Sequence, residues 1–375
     1  MAKLRKPAYR RSPFLVFYWK DHDFVAENFS TGQKASIAPI ACEVLHFFDR
    51  WRNADSLSAH LKQFTPQSLR KAVSQLVRKT FLERSGEKNP RAQKLLRAWD
   101  DWNPAAGFFH FTTRDTPYDS ALDRIDAEVR SLARRDPMPR LAKSYPRARK
   151  TPLPAPHTQN EFSKALLGRR TWRRFSGETI SLADLGTLLG LIFGVREWIS
   201  IEGVGRFPLK TSPSAGAMHP IEAYVVAQRV ENLARGIYHY DSARHELALL
   251  RRGASARETT RFLAGQEWFS GAAVILFLSA VFPRAQWKYR FPRAYRTVLI
   301  EAGHFCQTFC LTATSLGLAP FCTMALAETK IEKALGIDGV NEGVIYAAGA
   351  GKRPKGMDWE TGATPEIWLE RKKRR

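Results

Sequence analysis

Trp287 to Phe321 reads WKYRFPRAYRTVLIEAGHFCQTFCLTATSLGLAPF. From Val298 onward apolar residues return every three or four positions, at Ala302, Phe305, Phe309, Ala313 and Leu316, until Gly317. That spacing lines one face of an α-helix, and a glycine just past the last turn is a common stop. The helix lies between two short apolar runs, Ala272 to Ser279 and Gly343 to Ala348, and a third run, Ile221 to Ala227, precedes them. Runs this short and continuous suit strands buried on both faces. Further upstream, Ser181-Leu182-Ala183-Asp184 has the form of a capping box and opens a helix through Leu188-Leu189. From Glu161 onward helical and strand signals alternate, so the expected class is α+β, with the main domain over 161–360.

The residues ahead of it read differently. After a basic tail, 1–12, the pattern FLVFYWKDHDFVAENF from Phe14 to Phe29 gives two β-rich runs around a polar turn. Three short helices are expected next. The first starts at Pro39, the second near Asp55-Ser56, and the third at Thr65-Pro66, a good N-cap followed by a good first residue. A hairpin with three small helices is a winged-helix-like arrangement, assigned to 13–90. The stretch 91–160 is rich in Pro and Arg and reads as an irregular connector with one β-like island at Phe108-Phe109-His110-Phe111; a second basic tail covers 361–375.

A chain of 375 residues that is 44% hydrophobic is not generally disordered, and its length suits two domains. Cys42, Cys306, Cys310 and Cys322 are too few and too irregular for a disulfide framework, and none forms a CxxC pair; a reducing cytoplasm fits this usage. No apolar run reaches the roughly 20 residues needed to span a bilayer, so no membrane segment is expected. The formal charge of +23 is concentrated in the tails and in the stretch from Arg130 to Lys150, where solvated charge is the ordinary reading; nucleic acid is therefore the least favoured partner.

Two clusters carry chemistry. Arg169-Arg170-Thr171-Trp172-Arg173-Arg174-Phe175 places four guanidinium groups close together, which is comfortable only with an anion among them or with water screening them. A phosphate suits, because Arg makes forked, charge-assisted bonds to its oxygens. Thr211 to Pro220, TSPSAGAMHP, is a small, hydroxylated loop whose backbone can approach a flat polar ligand closely, or an ordinary Ser/Pro/Gly loop.

RRTWRRF, SPSAGAMHPIEAYVV, GIYHYD, the long segment quoted first and AAGAGKRP, in this order, resemble the nitroreductase superfamily, and within it the SagB-type dehydrogenases that oxidise thiazolines and oxazolines in ribosomally made peptides. The resemblance covers about the last two hundred residues, plus FFHFTTRDTPY from Phe108. It implies a homodimeric FMN-binding fold with a central mixed sheet and helices. Arg169, Thr171 and Arg173 would hold the FMN phosphate and ribityl chain with Arg170 alongside; Thr171 stands where Ser is usual and keeps the hydroxyl. Ser212, Pro213, Ser214, Ala215 and Gly216 would lie along the flavin, and Lys352-Arg353 after Gly349 would return to the phosphate.

Lys288-Tyr289 matches a Lys-Tyr dipeptide associated with catalysis in the azoline dehydrogenases. Aromatising an azoline removes a hydride and a proton from neighbouring atoms, so a base is needed. Lys288 serves when neutral, a state that Trp287, Arg284 and Arg290 are expected to favour by burial and charge, with Tyr289 orienting or relaying the proton. The following Arg290-Phe291-Pro292 departs from the family, which often has Gly soon after Tyr. His219, His239 and His304 have no metal-ligand spacing, and no metal is expected. The N-terminal module resembles small domains that capture leader peptides as an added strand, and Arg70, Lys71, Arg78 and Lys79 on its third helix suit an acidic leader; a scaffold that only supports the dimer is the second reading and a nucleic-acid-binding winged helix the third. A cyclodehydratase partner fits such a pathway. The alternative activity is an NAD(P)H-dependent nitro or quinone reductase of the same fold.

Overall fold

The computed structural model describes residues 7–87, 89–118, 121–136, 138, 141–143, 147 and 149–355. The tail beyond 355 and residues 1–6 lie outside these. The chain divides into two compact units, one made of residues up to 114 together with 289–295, the other of 115–288 and the residues after 295.

The first unit opens with β1 (Ala8–Arg11), so the expected basic tail is already ordered from Ala8. A meander follows, β2 (Leu15–Lys20), β3 (Asp23–Asn28) and β4 (Gln33–Ser36), each strand antiparallel to the next. Then come α1 (Ile40–Phe47), β5 (Arg52–Asn53), α2 (Ala54–His60), α3 (Pro66–Arg78) and β6 (Leu82–Arg84). Strands β5, β1 and β6 form a second small sheet. Two three-stranded sheets thus stand where a hairpin was expected, whereas the three expected helices are present, the third starting at its expected cap. Asn53 caps α2 through Asp55 N, and Thr65 caps α3 through Ser68 N with Pro66 in the first turn. Val44, Leu45, Phe48, Leu57, Leu69, Val73, Leu76 and Phe81 close the core.

The expected irregular connector is in fact helical at its start. α4 (Pro90–Ala98) begins at the Asn89 cap, and α5 (Ala105–Thr112) replaces the β-like island. The aromatic residues suggested a strand by local propensity, but packing overrides that preference. Trp99 and Trp102 are fully buried; Trp99 stacks on His110 with ring centres 5.0 Å apart. Residues 289–295 belong to this cluster. Trp102 Nε1 donates to the Tyr289 carbonyl (3.0 Å), and His110 Nδ1 lies 2.7 Å from the Tyr295 hydroxyl.

The second unit contains α6 (Leu122–Arg135), α7 (Glu161–Gly168), α8 (Leu182–Phe193), the hairpin β7 (Glu197–Ile201) and β8 (Gly205–Leu209), then β9 (Ile221–Ala227), β10 (Gly236–Asp241), β11 (Glu246–Arg252), α9 (Ala256–Phe262), β12 (Val274–Val281), α10 (Phe282–Lys288), α11 (Tyr295–Ser315), β13 (Leu318–Thr323), α12 (Glu328–Leu335) and β14 (Glu342–Lys352). The main sheet runs β11-β10-β9-β12-β14-β13, and every described ladder in it is antiparallel. The mixed sheet that was expected is therefore corrected for the described strands. All of Val274 to Ala280 is buried, because both faces are covered, as the continuous apolar run requires. Ile275 and Phe277 pack with Phe262, Phe269, Phe321 and Ile331, while Phe193 of α8 stacks on Phe305 of α11 at 4.9 Å. Ser181 caps α8 through Asp184 N, as its sequence predicts. Among the described residues no helix is long and apolar enough to cross a membrane.

Candidate functional site

Residues 169–176 run extended after α7 and are held by their backbone. Trp172 N donates to the Pro320 carbonyl on β13 (2.9 Å), and Ser176 N to the Lys352 carbonyl at the end of β14 (3.1 Å). The Trp172 ring is buried, but Arg170, Thr171, Arg173 and Arg174 are exposed and Arg169 is half-buried. Among the described residues Arg169 and Arg173 make no ion pair. Their charge stands ready for an anion from outside the chain. Arg169 lies near β13: the Cys322 thiol is drawn below the usual thiol range, first by its hydrogen bond with Cys310, and, against burial, by Tyr346 and Arg169.

The tail of β14 contributes unevenly. Lys352 Nζ is 3.8 Å from Asp184 Oδ2, a partly exposed and weak pair. Arg353 places its guanidinium over Trp172 (5.6 Å) and donates to the Leu318 and Thr314 carbonyls at 3.1 and 3.2 Å. These two bonds hold the guanidinium at the junction of α11 and β13. Gly349 needs correction as a cofactor contact. It is buried in mid-sheet, where an added Cβ would fall 2.4 Å from the Phe321 ring and 2.8 Å from the Val274 carbonyl. Close packing explains this glycine.

The loop before β9 is tied to α11. Ser212 Oγ is 3.1 Å from Thr308 Oγ1, the Pro213 carbonyl is 3.3 Å from His304 Nδ1, and Ser214 Oγ donates to Glu301 Oε2 at 2.5 Å. Ser214 Oγ also accepts from His219 N at 2.9 Å. Ala215 to Ala217 form a single helical turn, and the chain passes through positive φ at Gly216 (62°), Ala217 (56°) and His219 (41°). Left-handed backbone at two non-glycine residues costs energy and persists only where surroundings fix it.

Glu301 has no counterpart in the sequence reading. It is 2% exposed, and burial raises its carboxyl to about pKa 7 despite the bond from Ser214 and the charges of Lys210 and Arg284. His219, also buried, is lowered to about 4, first by burial and then by Lys210. Its Nδ1 faces Glu301 Oε1 at 3.7 Å, and among the described residues neither atom has a hydrogen-bond partner. The imidazole is therefore neutral, while the carboxyl gains or loses its proton near neutral pH. Burial also lowers the Lys210 amine. Beyond them Glu222 takes Arg284 (2.5 Å) and His239 (3.0 Å), whose bonds hold it ionised against the cost of burial. The one hint to Glu301 in sequence is an acid three residues after Val298, on the buried side of an otherwise apolar stripe.

Lys288 is the last residue of α10 and is exposed; Tyr289, half-buried, starts the excursion into the first unit. The expected burial by Trp287 is corrected, since that ring is 57% exposed, and Arg284 is committed to Glu222 and to the His219 carbonyl. Among the described residues no cluster of His, Cys, Asp or Glu has metal-holding geometry.

Residues 166–352 match the model of the nitroreductase family. A nitroreductase-named protein of Methanocaldococcus jannaschii is 30% identical over 177 residues, covering 47% of this chain and 85% of that relative. The chain belongs to the nitroreductase family. This family commonly binds FMN, and its members are typically FMN-dependent oxidoreductases. The trifolitoxin-processing protein TfxB of Rhizobium leguminosarum bv. trifolii is 27% identical over 172 residues, 45% of this chain; the chain spans less than half, 46%, of that relative's length. A chain of the E. coli microcin synthetase McbBCD complex with truncated pro-MccB17 bound has a TM-score of 0.46 at 19% identity, covering 72% of this nitroreductase-family chain and 99% of that chain.

Proposed function

We propose that this nitroreductase-family protein is an FMN-dependent dehydrogenase that oxidises azoline rings to azoles in a ribosomally made peptide. The observation that carries the reading is the presence, on one chain with the catalytic unit, of a peptide-sized groove in the first unit. Among the described residues β4 pairs with β3 alone, so its outer edge is open to a further strand. Beside it lies a groove of about 730 Å³ lined by Ala35, Ile37, Val44, Leu69, Ala72 and Leu76, with Arg78 and Lys79 among its basic residues. An extended peptide adds to such an edge and is read by the side chains of the opposing helix. Arg70 is turned away to Asp55 (3.3 Å) and Lys71 does not line the groove, so Arg78 and Lys79 are the cations suited to an acidic leader. The name of the trifolitoxin-processing relative supports a peptide substrate.

The residues present fit FMN. Arg169 and Arg173, which make no ion pair among the described residues, suit its phosphate with Arg170, Thr171 and Lys352, and the Ser212–Gly216 backbone suits its ring edge. Bound FMN supplies the hydride acceptor. Lys288 removes the ring proton and Tyr289 orients or relays it; because Lys288 is exposed in the single chain, its burial falls to substrate or to a second copy in the homodimer that the family fold favours. A cyclodehydratase that makes the azoline is the partner this chemistry requires.

The test is mass spectrometry of an azoline-bearing peptide after incubation with the flavin-loaded protein. Each ring should lose the mass of one hydrogen molecule, and Lys288→Ala should abolish this while the protein stays yellow. Rapid bleaching by NADPH under anaerobic conditions, with the peptide unchanged, would instead assign the nitro or quinone reductase activity.

A further inference from the structure

Glu301, His304 and Thr308 occupy one stripe of α11, at the spacing of successive turns. Their partners are Ser214, Pro213 and Ser212, so the loop runs antiparallel to the helix and each loop residue meets one turn. Ser212 and Glu301 are buried to 3% and 2% exposure. A helix is the stiffest support available for a loop, and three successive attachments fix both its height and its direction. The loop in turn carries the positive φ values from Gly216 to His219, a shape that needs external support.

We propose that Glu301, His304 and Thr308 are positioning residues that set the backbone of Ser212–Ser214 to receive the flavin edge, with Glu301 the central one. This rests on the FMN reading above. Glu301 acts through Ser214: its carboxyl accepts a hydrogen bond from the Ser214 hydroxyl, which leaves the Ser214 oxygen to accept from His219 N and fixes the turn that follows. The groups facing it are His219 from the loop, Lys210 from the segment after β8, and Arg284 from α10. Near neutral pH the carboxyl sits at its own titration point, and its ionisation adds a negative charge directly behind the loop.

Two measurements on the full chain test this. The first is amide hydrogen exchange at residues 212–216 without ligand, and the second is FMN affinity by absorbance titration. Glu301→Ala should speed exchange in the loop about 10-fold or more and weaken FMN binding by a similar factor, as expected for loss of a buried charged-group hydrogen bond. Thr308→Val should do the same more weakly, and Thr308→Ser should restore both. In wild type, FMN binding should weaken as pH rises through about 7, and Glu301→Gln should remove that step while keeping the phosphate's own titration near pH ~6. Faster exchange with unchanged FMN affinity would reduce the stripe to a packing feature and overturn the proposal. So would unchanged exchange in Glu301→Ala. A wild-type chain that takes up no FMN would overturn the functional reading, and the positioning role with it; the exchange data would still report separately whether the stripe holds the loop.

Discussion

The loop 212–216 and the arginine segment 169–174, both proposed to hold the cofactor, are built under opposite rules. In the loop, polar groups from Ser212 to Ser214 are met by the chain itself, through Thr308, His304 and Glu301. In the arginine segment the backbone is fixed at Trp172 and Ser176, but Arg169 and Arg173 carry charge that nothing described in the chain neutralises. The first region forms without a ligand. The second offers exposed cations, so a phosphate group should gain its affinity there and its orientation from the loop.

Replacing both Arg169 and Arg173 by Ala should have the largest effect. Each lost charge-assisted bond is worth about 1.5–3 kcal/mol, so FMN affinity should fall by about a thousand-fold, while the unfolding midpoint of the ligand-free chain stays level or rises. A drop in ligand-free stability would show that the two regions are not built differently after all. Ser214→Ala should behave in reverse order. It leaves Glu301 Oε2 and His219 N without their partner and should destabilise the ligand-free protein by about 1–3 kcal/mol in denaturant titrations.

The pH dependence of ligand-free stability sharpens the same contrast. Glu301, with an ordinary value of 4.5 and a folded value of about 7, holds a proton that the unfolded chain has lost, so its contribution falls as pH rises from 4.5 to 7. The opposing interval belongs to His219: it is ordinarily at 6.5 and about 4 when folded, so its contribution rises from pH 4 to 6.5. The wild-type curve should be nearly flat between the two and fall only near pH 7. Glu301→Gln should unmask the histidine slope, a difference of up to about 3 kcal/mol at pH 7. Smallest of all, Arg174→Ala should change FMN affinity by less than about three-fold, as expected for an exposed cation outside the proposed set. A loss equal to that of Arg173→Ala would mean that the segment attracts anions as a diffuse charge.

Much of the second unit was legible because its signals are strong and local. The apolar period of α11, the Ser181 cap and the continuous run of β12 each require one structure. Residues 90–112 were not legible in the same way. Their helices are short, and Phe108 to Phe111 suit a strand until Trp99 and Trp102 supply the contacts that make a helix better. At the site, charge and small residues drew the eye to Arg169, Arg173 and Ser214, because those types are unusual where they stand. Glu301 escaped because one acid in a helix ordinarily faces water, and only the folded chain brings Ser214 and His219 to it. Gly349 was read as a ligand contact for the opposite reason: a glycine made necessary by a neighbouring ring looks, in one dimension, like a glycine made necessary by a cofactor.

Residues 289–295 leave the catalytic unit immediately after Lys288 and return at Arg296, having given a carbonyl to Trp102 and a hydroxyl to His110. No single cut therefore separates the two units. An isolated catalytic fragment would expose Tyr289 and Tyr295 with their indole and imidazole neighbours gone, and a chimaera carrying a foreign N-terminal unit would need to import this heptapeptide along with it.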